Sequence, residues 1–146
     1  QKTTLNPRAV LAQAALETGW GTKIIKNADG SSSRNLFNIK ASKDWSGKVT
    51  SVPTIEFKEG IPKPQIANFK AYGTYEESIG DYLSLLSTHP RYRGMMDATQ
   101  NADSFFEQLQ ANGYATDPDY AKKLSRLFHG DLLSKAIIHE GDDIYG

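Results

Sequence analysis

The stretch NPRAVLAQAALETGWG, residues 6–21, predicts the helix around which the fold is built. Asn6 suits the N-cap, Pro7 suits the first helical position, and the Gly-Trp-Gly sequence at the end provides a stop. Val10 and Leu11 begin an apolar stripe that continues at helical spacing. Several alanines keep the other faces slim, so neighbouring elements can approach closely. We therefore expect this helix to lie deep in the domain.

A small β-lobe is predicted downstream of this helix, after a polar loop over residues 27–35. Residues 49–57 and 65–70 mix Val, Ile and Phe with Thr and Ser, a composition typical of strands. The EGIPKP segment between them has the length of a hairpin connection, and Pro53 indicates an edge strand. We expect the lobe to span about residues 48–70.

Helices resume at Thr74, which has capping-box spacing with Glu77. Two shorter amphipathic helices follow, and a tail is expected from about residue 134. The fold class is therefore predicted as α+β, mainly α, in a single domain over residues 1–146. The positions that define these helices are Ile79, Leu83 and Leu86 in the first, Phe105, Phe106 and Leu109 in the second, and Leu124 and Phe128 in a third that starts at Asp117 and Pro118.

The composition of the chain excludes several classes of partner and of catalytic site. Lys plus Arg and Asp plus Glu number 17 each, so we expect no nucleic-acid partner and no attraction to anionic membranes, whereas a neutral glycan is compatible. The absence of cysteine excludes a disulfide framework and a thiolate nucleophile. The three histidines lack metal-ligand spacing, so no metal and no cofactor are expected. No apolar run approaches the roughly 20 residues of a membrane span, so membrane insertion is not expected.

Glu17 is the first candidate for chemistry because it lies in the last turn of the predicted helix, at the edge of its apolar stripe. The helix dipole is negative there, and Trp20 can add an apolar wall. Both effects favour the protonated carboxyl, which is what protonation of a glycosidic oxygen requires. An exposed glutamate that simply ends a helix explains the position equally well.

Four motifs follow one another along about residues 5–128. They are LAQAALETGWG at 11–21, NLFNIK at 35–40, FKAYGTYEESIGDYLSLL at 69–86 and NGYATDPDYAKKL at 112–124. In this order they resemble glycoside hydrolase family 73, and an ordered set is more specific than any one motif. The resemblance implies a lysozyme-like helical fold with a small β-hairpin lobe and cleavage of the glycan strands of bacterial peptidoglycan. The family usually has Gly where this chain has Asn38, a departure that concerns the local backbone.

The resemblance maps the family's catalytic glutamate onto Glu17 and implies a second functional glutamate in the β-lobe, for which Glu56 is the leading choice. Alternation with Ile55 and Phe57 places Glu56 on the opposite face of the strand, which by itself favours an ordinary solvent-facing residue. Glu59, near the turn, is a weaker candidate.

Two further site residues follow from the same motifs. The family's catalytically important tyrosine corresponds to Tyr114, whose phenol could hydrogen-bond the sugar or its acetamido group; a tyrosine packed on the rim is the alternative. Asp81 matches an acidic position of related hydrolases. It could orient Glu17 or a water, or equally anchor a buried hydrogen-bond network.

Four aromatic residues are candidate sugar-stacking surfaces, although each is individually as typical of a core. They are Trp20, Phe37, Tyr72 and Tyr75.

The expected activity is that of an endo-β-N-acetylglucosaminidase. Either Glu56 activates water in an inverting reaction, or the substrate's acetamido oxygen attacks C1 with help from Tyr114 and Asp81. A lytic transglycosylase on the same scaffold and a non-catalytic wall-binding module are the rival interpretations.

Among family members, the pattern is most similar to those that open the wall for the growing flagellar rod. This resemblance implies a periplasmic location and, through an N-terminal domain outside this sequence, flagellar rod proteins as partners. Because Gln1 does not begin a basic-plus-apolar leader, we expect a domain excised from a longer chain, and a monomer.

Overall fold

A computed structural model describes residues 5–98, 101–131 and 133. Its helix-rich chain with one two-stranded antiparallel sheet confirms the predicted α+β class. By contacts the chain divides into two compact units, Gln1–Leu16 with Leu83–Gly146, and Glu17–Tyr82. The predicted tail from 134 lies outside the described residues. The elements are α1 (Pro7–Thr18), β1 (Lys48–Lys58), β2 (Ile61–Ala71), α2 (Tyr75–Thr88), α3 (Arg93–Ala98), α4 (Ala102–Ala111) and α5 (Tyr120–His129).

Helix α1 begins as predicted, because the Asn6 side chain accepts a hydrogen bond from the Arg8 amide at 2.8 Å. The predicted stripe is confirmed only in part: Ala14 and Ala15 are buried, but Leu11 is 36% exposed. Ala9, Ala12 and Gln13 are buried instead. Alanine lets neighbouring backbone come close, so the alanines pack inward rather than Leu11.

The unit formed by Gln1–Leu16 and Leu83–Gly146 is helical and has a core of large side chains from α2, α4 and α5. The Gln13 amide in α1 donates to the buried Tyr120 hydroxyl at 3.0 Å, which explains how a glutamine is accommodated there. Helix α5 starts two residues later than the predicted Pro118, because the Asp117 carboxylate caps the preceding turn by accepting the Asp119 amide. The large apolar side chains of this unit that are fully buried are Leu86, Phe105, Phe106, Leu109, Leu124 and Leu133.

The β-lobe in the unit Glu17–Tyr82 is a hairpin longer than predicted. Only Glu59 and Gly60 form the turn, with φ of 53° and 78°, and two consecutive positive φ values suit a tight hairpin turn. The segment expected to be a connection is therefore mostly strand, and β2 begins at Ile61 rather than at 65.

The pairing register assigns each residue of the hairpin to one of its two faces. Glu56 pairs with Lys63 and shares its face with the buried Thr50 and Phe69, whereas Ile55, on the opposite face, is 64% exposed. The predicted separation of Glu56 from Ile55 is thus confirmed. Glu56 continues, towards the tip, the face that carries the core at the base of the hairpin.

Helix α2 begins at Tyr75 with the predicted capping interaction, since the Glu77 amide donates to the Thr74 hydroxyl at 3.1 Å. The inward stripe is confirmed in part: Leu86 and Tyr82 are fully buried, as the spacing predicts. Ile79 is 38% exposed, however, and Ser78 is fully buried. Ser78 is buried because its hydroxyl accepts the Leu36 amide at 3.1 Å, a contact that local periodicity cannot reveal.

Candidate active site

Glu17 lies in the last turn of α1, as predicted, and is half-buried. The side-chain amide of Asn38 donates to its carboxylate Oε1 at 2.9 Å and to its backbone carbonyl at 3.0 Å. The carbonyl is among the last four of the helix, which have no partner within the helix itself. One amide therefore both caps α1 and fixes the carboxylate.

The segment that carries Asn38 is fastened by the buried Asn35. Its amide donates to the carbonyls of Ile39 and Lys70, each at 2.9 Å, and its Oδ1 accepts the Ile39 amide at 3.0 Å. Backbone bonds then join residues 39–41 to β2. The NLFNIK motif is consequently a rigid link between the hairpin and the end of α1.

Phe37 is enclosed by the protein, which contradicts its expected role as a sugar-stacking ring. It is 1% exposed, and its ring lies parallel to that of Tyr82 with centroids 4.0 Å apart. Both ring faces of a side chain so enclosed are taken up by the protein. Phe37 instead anchors the motif on α2.

Lys40, two residues after Asn38, contacts the second predicted carboxylate. Its ammonium lies 3.1 Å from Glu56 Oε1, and the two side chains are 60% and 32% exposed. An ion pair this exposed contributes little to stability. The effect of the ion pair is to orient the Glu56 side chain relative to the NLFNIK segment.

Asp81 belongs to a hydrogen-bonded network, which favours the anchoring interpretation of this residue. Its Oδ2 accepts from Lys70 at 2.9 Å and from the Tyr72 hydroxyl at 2.6 Å. Lys70 also lies over the Trp45 ring, 4.5 Å from its centroid. Tyr72 is only 7% exposed, so the structure contradicts its expected role as a sugar-stacking ring.

The Tyr72–Asp81 hydrogen bond is expected to make the free energy of unfolding depend on pH. Burial, followed by the hydrogen bond to Asp81, raises the pKa of Tyr72 above its ordinary value near 10. Above pH 10 the unfolded chain therefore releases this proton while the native protein retains it, so the free energy of unfolding falls with pH. The slope from one such group is about 1.4 kcal/mol per pH unit.

Chemical denaturation of wild type and Tyr72→Phe from pH 8 to 11 measures this contribution. We expect the difference between their unfolding free energies to be constant up to pH 9.5 or so and to decrease above it, at up to about 1.4 kcal/mol per unit. Tyr75→Phe is the matched control, because Tyr75 is 43% exposed. A wild-type-minus-variant difference that stays flat to pH 11 contradicts the prediction.

Tyr114 lies, as predicted, in the loop between α4 and α5, in the unit that does not contain Glu17. Its ring is stacked on Tyr120 with centroids 6.1 Å apart and is tilted against Tyr92 at 5.9 Å.

Of the four predicted sugar-stacking residues, Trp20 and Tyr75 are exposed, each 43%, and their role in sugar stacking stays a prediction.

Among residues 5–98, 101–131 and 133, no group of three or more potential ligands comes together to hold a metal ion. Within the same part of the chain, no helix has the length and apolar character needed to cross a membrane.

The family model for glucosaminidases, described as mannosyl-glycoprotein endo-β-N-acetylglucosaminidase, matches residues 1–131. The chain belongs to the glucosaminidase family. As a member of this family it is a glycoside hydrolase domain, and the resemblance to glycoside hydrolase family 73 is confirmed.

Relatives of this glucosaminidase domain include the peptidoglycan hydrolase FlgJ of Pseudomonas aeruginosa, 43% identical over 123 residues. Those residues are 84% of this chain but 31% of the relative, so the chain spans about a third of that protein's length. A crystal structure of a peptidoglycan hydrolase mutant from Sphingomonas sp. A1 is 44% identical with a TM-score of 0.82, covering 90% of this chain and 84% of that one. The glycoside hydrolase domain of Salmonella typhimurium FlgJ, C-terminally truncated, is 40% identical with a TM-score of 0.69, covering 86% and 83%.

The sequence of this glucosaminidase does not point to the side chains that hold the carboxylates. The departure at Asn38 indicates only a change in local backbone, and no pattern predicts a role for Lys40 or Lys70. Residues 38 and 40 give no strand-alternation signal, because Asn38 has φ of 54° and does not lie in an extended segment. Lys70 gives no local signal either, since its pairing with Asp81 depends on how β2 meets α2.

Proposed function

We propose that this domain hydrolyses β-1,4 glycosidic bonds after N-acetylglucosamine in peptidoglycan glycan strands, with Glu17 as the general acid. The observation that carries the proposal is the Glu17 carboxyl, held at the end of α1 by Asn38. Membership of the glucosaminidase family supports the bond type, and relatives named peptidoglycan hydrolases support the substrate. The lysozyme-like arrangement implied by the motifs is part of the same proposal.

In the proposed reaction Glu17 gives its proton to the glycosidic oxygen as the bond between that oxygen and C1 breaks. The bonding electron pair leaves with the oxygen, and positive charge develops at C1. Glu56 removes a proton from a water whose oxygen forms the new bond to C1, which inverts the configuration there. Glu17 is then ionised and Glu56 protonated, and proton exchange with solvent restores both.

Glu56 is the proposed base because its side chain lies on the core-bearing face of the hairpin and is oriented by Lys40. The second route, attack by the substrate's acetamido oxygen, needs no such base. In that route Tyr114 would steady the acetamido group, and Asp81 would act through the network it forms with Tyr72.

The biological part of the proposal is local opening of the wall for the flagellar rod, in the periplasm. It rests on the motif resemblance. Flagellar rod proteins would be partners of the longer protein to which such a domain belongs.

Digestion of purified peptidoglycan in H2¹⁸O, with immediate borohydride reduction and mass spectrometry, tests the activity. We expect fragments that end in reduced N-acetylglucosamine and carry one ¹⁸O per cleaved bond. Ends of reduced N-acetylmuramic acid would show that the other glycosidic bond is cleaved. Anhydromuramyl ends without ¹⁸O would identify a lytic transglycosylase, and sedimentation with the wall without any release would favour a binding module.

A further inference from the structure

We infer that Asn38 is a positioning residue for the catalytic acid, one that stabilises the negative charge left on Glu17 as its proton departs. This inference rests on the proposed function and deepens it. Its basis is the amide nitrogen of Asn38, which lies 2.9 Å from Glu17 Oε1 and 3.0 Å from the Glu17 carbonyl. The two N–H bonds of one amide can serve these two acceptors at the same time.

The amide is held in place by its backbone. Asn38 has φ of 54°, in the left-handed region that asparagine tolerates better than most residues other than glycine. Its neighbours Phe37 and Ile39 are buried, 1% and 6% exposed, and Asn35 clamps the backbone at Ile39. Because the segment is fixed on both sides, the Asn38 amide is already in position beside Glu17 before the reaction begins. No entropy has to be lost to order it as the proton is transferred.

A donor aimed at a carboxylate stabilises the ionised form more than the protonated form. During proton transfer Glu17 changes from the protonated to the ionised form. The hydrogen bond from Asn38 therefore strengthens as the transition state is approached. The same preference makes the acid lose its proton at lower pH. Removal of the donor should therefore slow the reaction at the pH optimum. It should also shift the high-pH limb of the kcat/KM profile to higher pH.

Two variants separate this role from a structural one. Asn38→Gly suits the positive φ and removes the donor; Asn38→Asp keeps the size and backbone tolerance but replaces the donor with an acceptor. We expect Asn38→Gly to reduce kcat about 3- to 10-fold and to raise the high-pH limb by about half a unit to one unit. Asn38→Asp should raise that limb at least as far, because a second carboxylate disfavours ionisation of the first.

The experiment measures pH profiles on solubilised glycan together with ¹³C NMR titration of the glutamate carboxyls, with Glu17→Gln used to assign the Glu17 signal. Upward shifts of the Glu17 titration in both Asn38 variants support the inference even if the domain proves inactive. Unchanged Glu17 titration and pH profiles, in variants that unfold cooperatively, overturn it. Should Asn38→Gly fail to fold, unchanged Glu17 titration in the isosteric Asp variant still overturns the inference, since the side chain at 38 would then not act on the carboxyl. Full activity of Glu17→Gln would instead refute the proposed function.

Discussion

Glu17→Gln is expected to lower kcat/KM for glycan cleavage by about 10³-fold while leaving the fold intact. Glutamine has nearly the size and shape of glutamate, and its Oε1 can still accept the Asn38 amide, so the contacts that cap α1 survive. What is lost is the acidic proton. Without it, the leaving oxygen departs as an unstabilised anion.

Release of soluble muropeptides from purified wall measures this effect, and a thermal melt confirms that the variant is folded. Glu76→Gln is the matched control, because Glu76 is exposed in the first turn of α2 and its charge is lost without a change at the site. We expect the control to retain wild-type activity. If Glu17→Gln retains a tenth or more of the wild-type rate, Glu17 is not the general acid.

The second large effect is expected for Glu56→Gln, with a loss of about 10²-fold in kcat/KM if Glu56 activates water. Azide should restore part of the rate, because an anionic nucleophile needs no base to remove a proton. The product would then be an α-glycosyl azide, as inversion at a β-linked C1 requires.

Two other variants act as controls for Glu56. Glu59→Gln removes a carboxylate from the same hairpin, at the exposed turn, and should leave the rate unchanged. Lys40→Met removes only the ion-pair partner of Glu56 and should have an intermediate effect, smaller than that of Glu56→Gln. Wild-type activity in Glu56→Gln would rule out this base and favour attack by the substrate's acetamido group.

The order and type of the elements could be predicted from sequence except for α3, and so could the buried face of α4. The buried faces of α1 and α2 could be predicted only in part. In α1 the pattern of Val10 and Leu11 favoured one face, yet the structure buries Ala9 and Ala12. Hydrophobicity measures the gain from leaving water, but close approach of neighbouring backbone depends on small side chains. The same limitation applies to Ser78, whose burial depends on a hydrogen bond to a distant loop.

At the site, helix position and motif order were sufficient to place Glu17, and strand alternation gave the correct face for Glu56. Asn38 contacts the Glu17 carboxylate and Lys40 contacts that of Glu56, across 21 and 16 residues of sequence. Such pairs form only when the NLFNIK segment is docked on β2. Phe37 and Tyr72 were misjudged for a related reason, since a sequence does not distinguish an aromatic ring exposed in a cleft from one that packs beneath it.

The hairpin register has a consequence for self-association. In β2 the outward backbone groups at Asn68 and Lys70 already bond residues 39–41, and the outward positions nearer the tip are Pro62 and Pro64, which have no N–H to offer. The outward donors that remain along β2 are the N–H groups of Ile66 and Asn68, since only the carbonyl of Asn68 is bonded. An incoming strand from another copy would find little of a ladder to extend along this edge of the hairpin. The prolines of β2 thus disfavour intermolecular pairing at one of the two edges of the lobe.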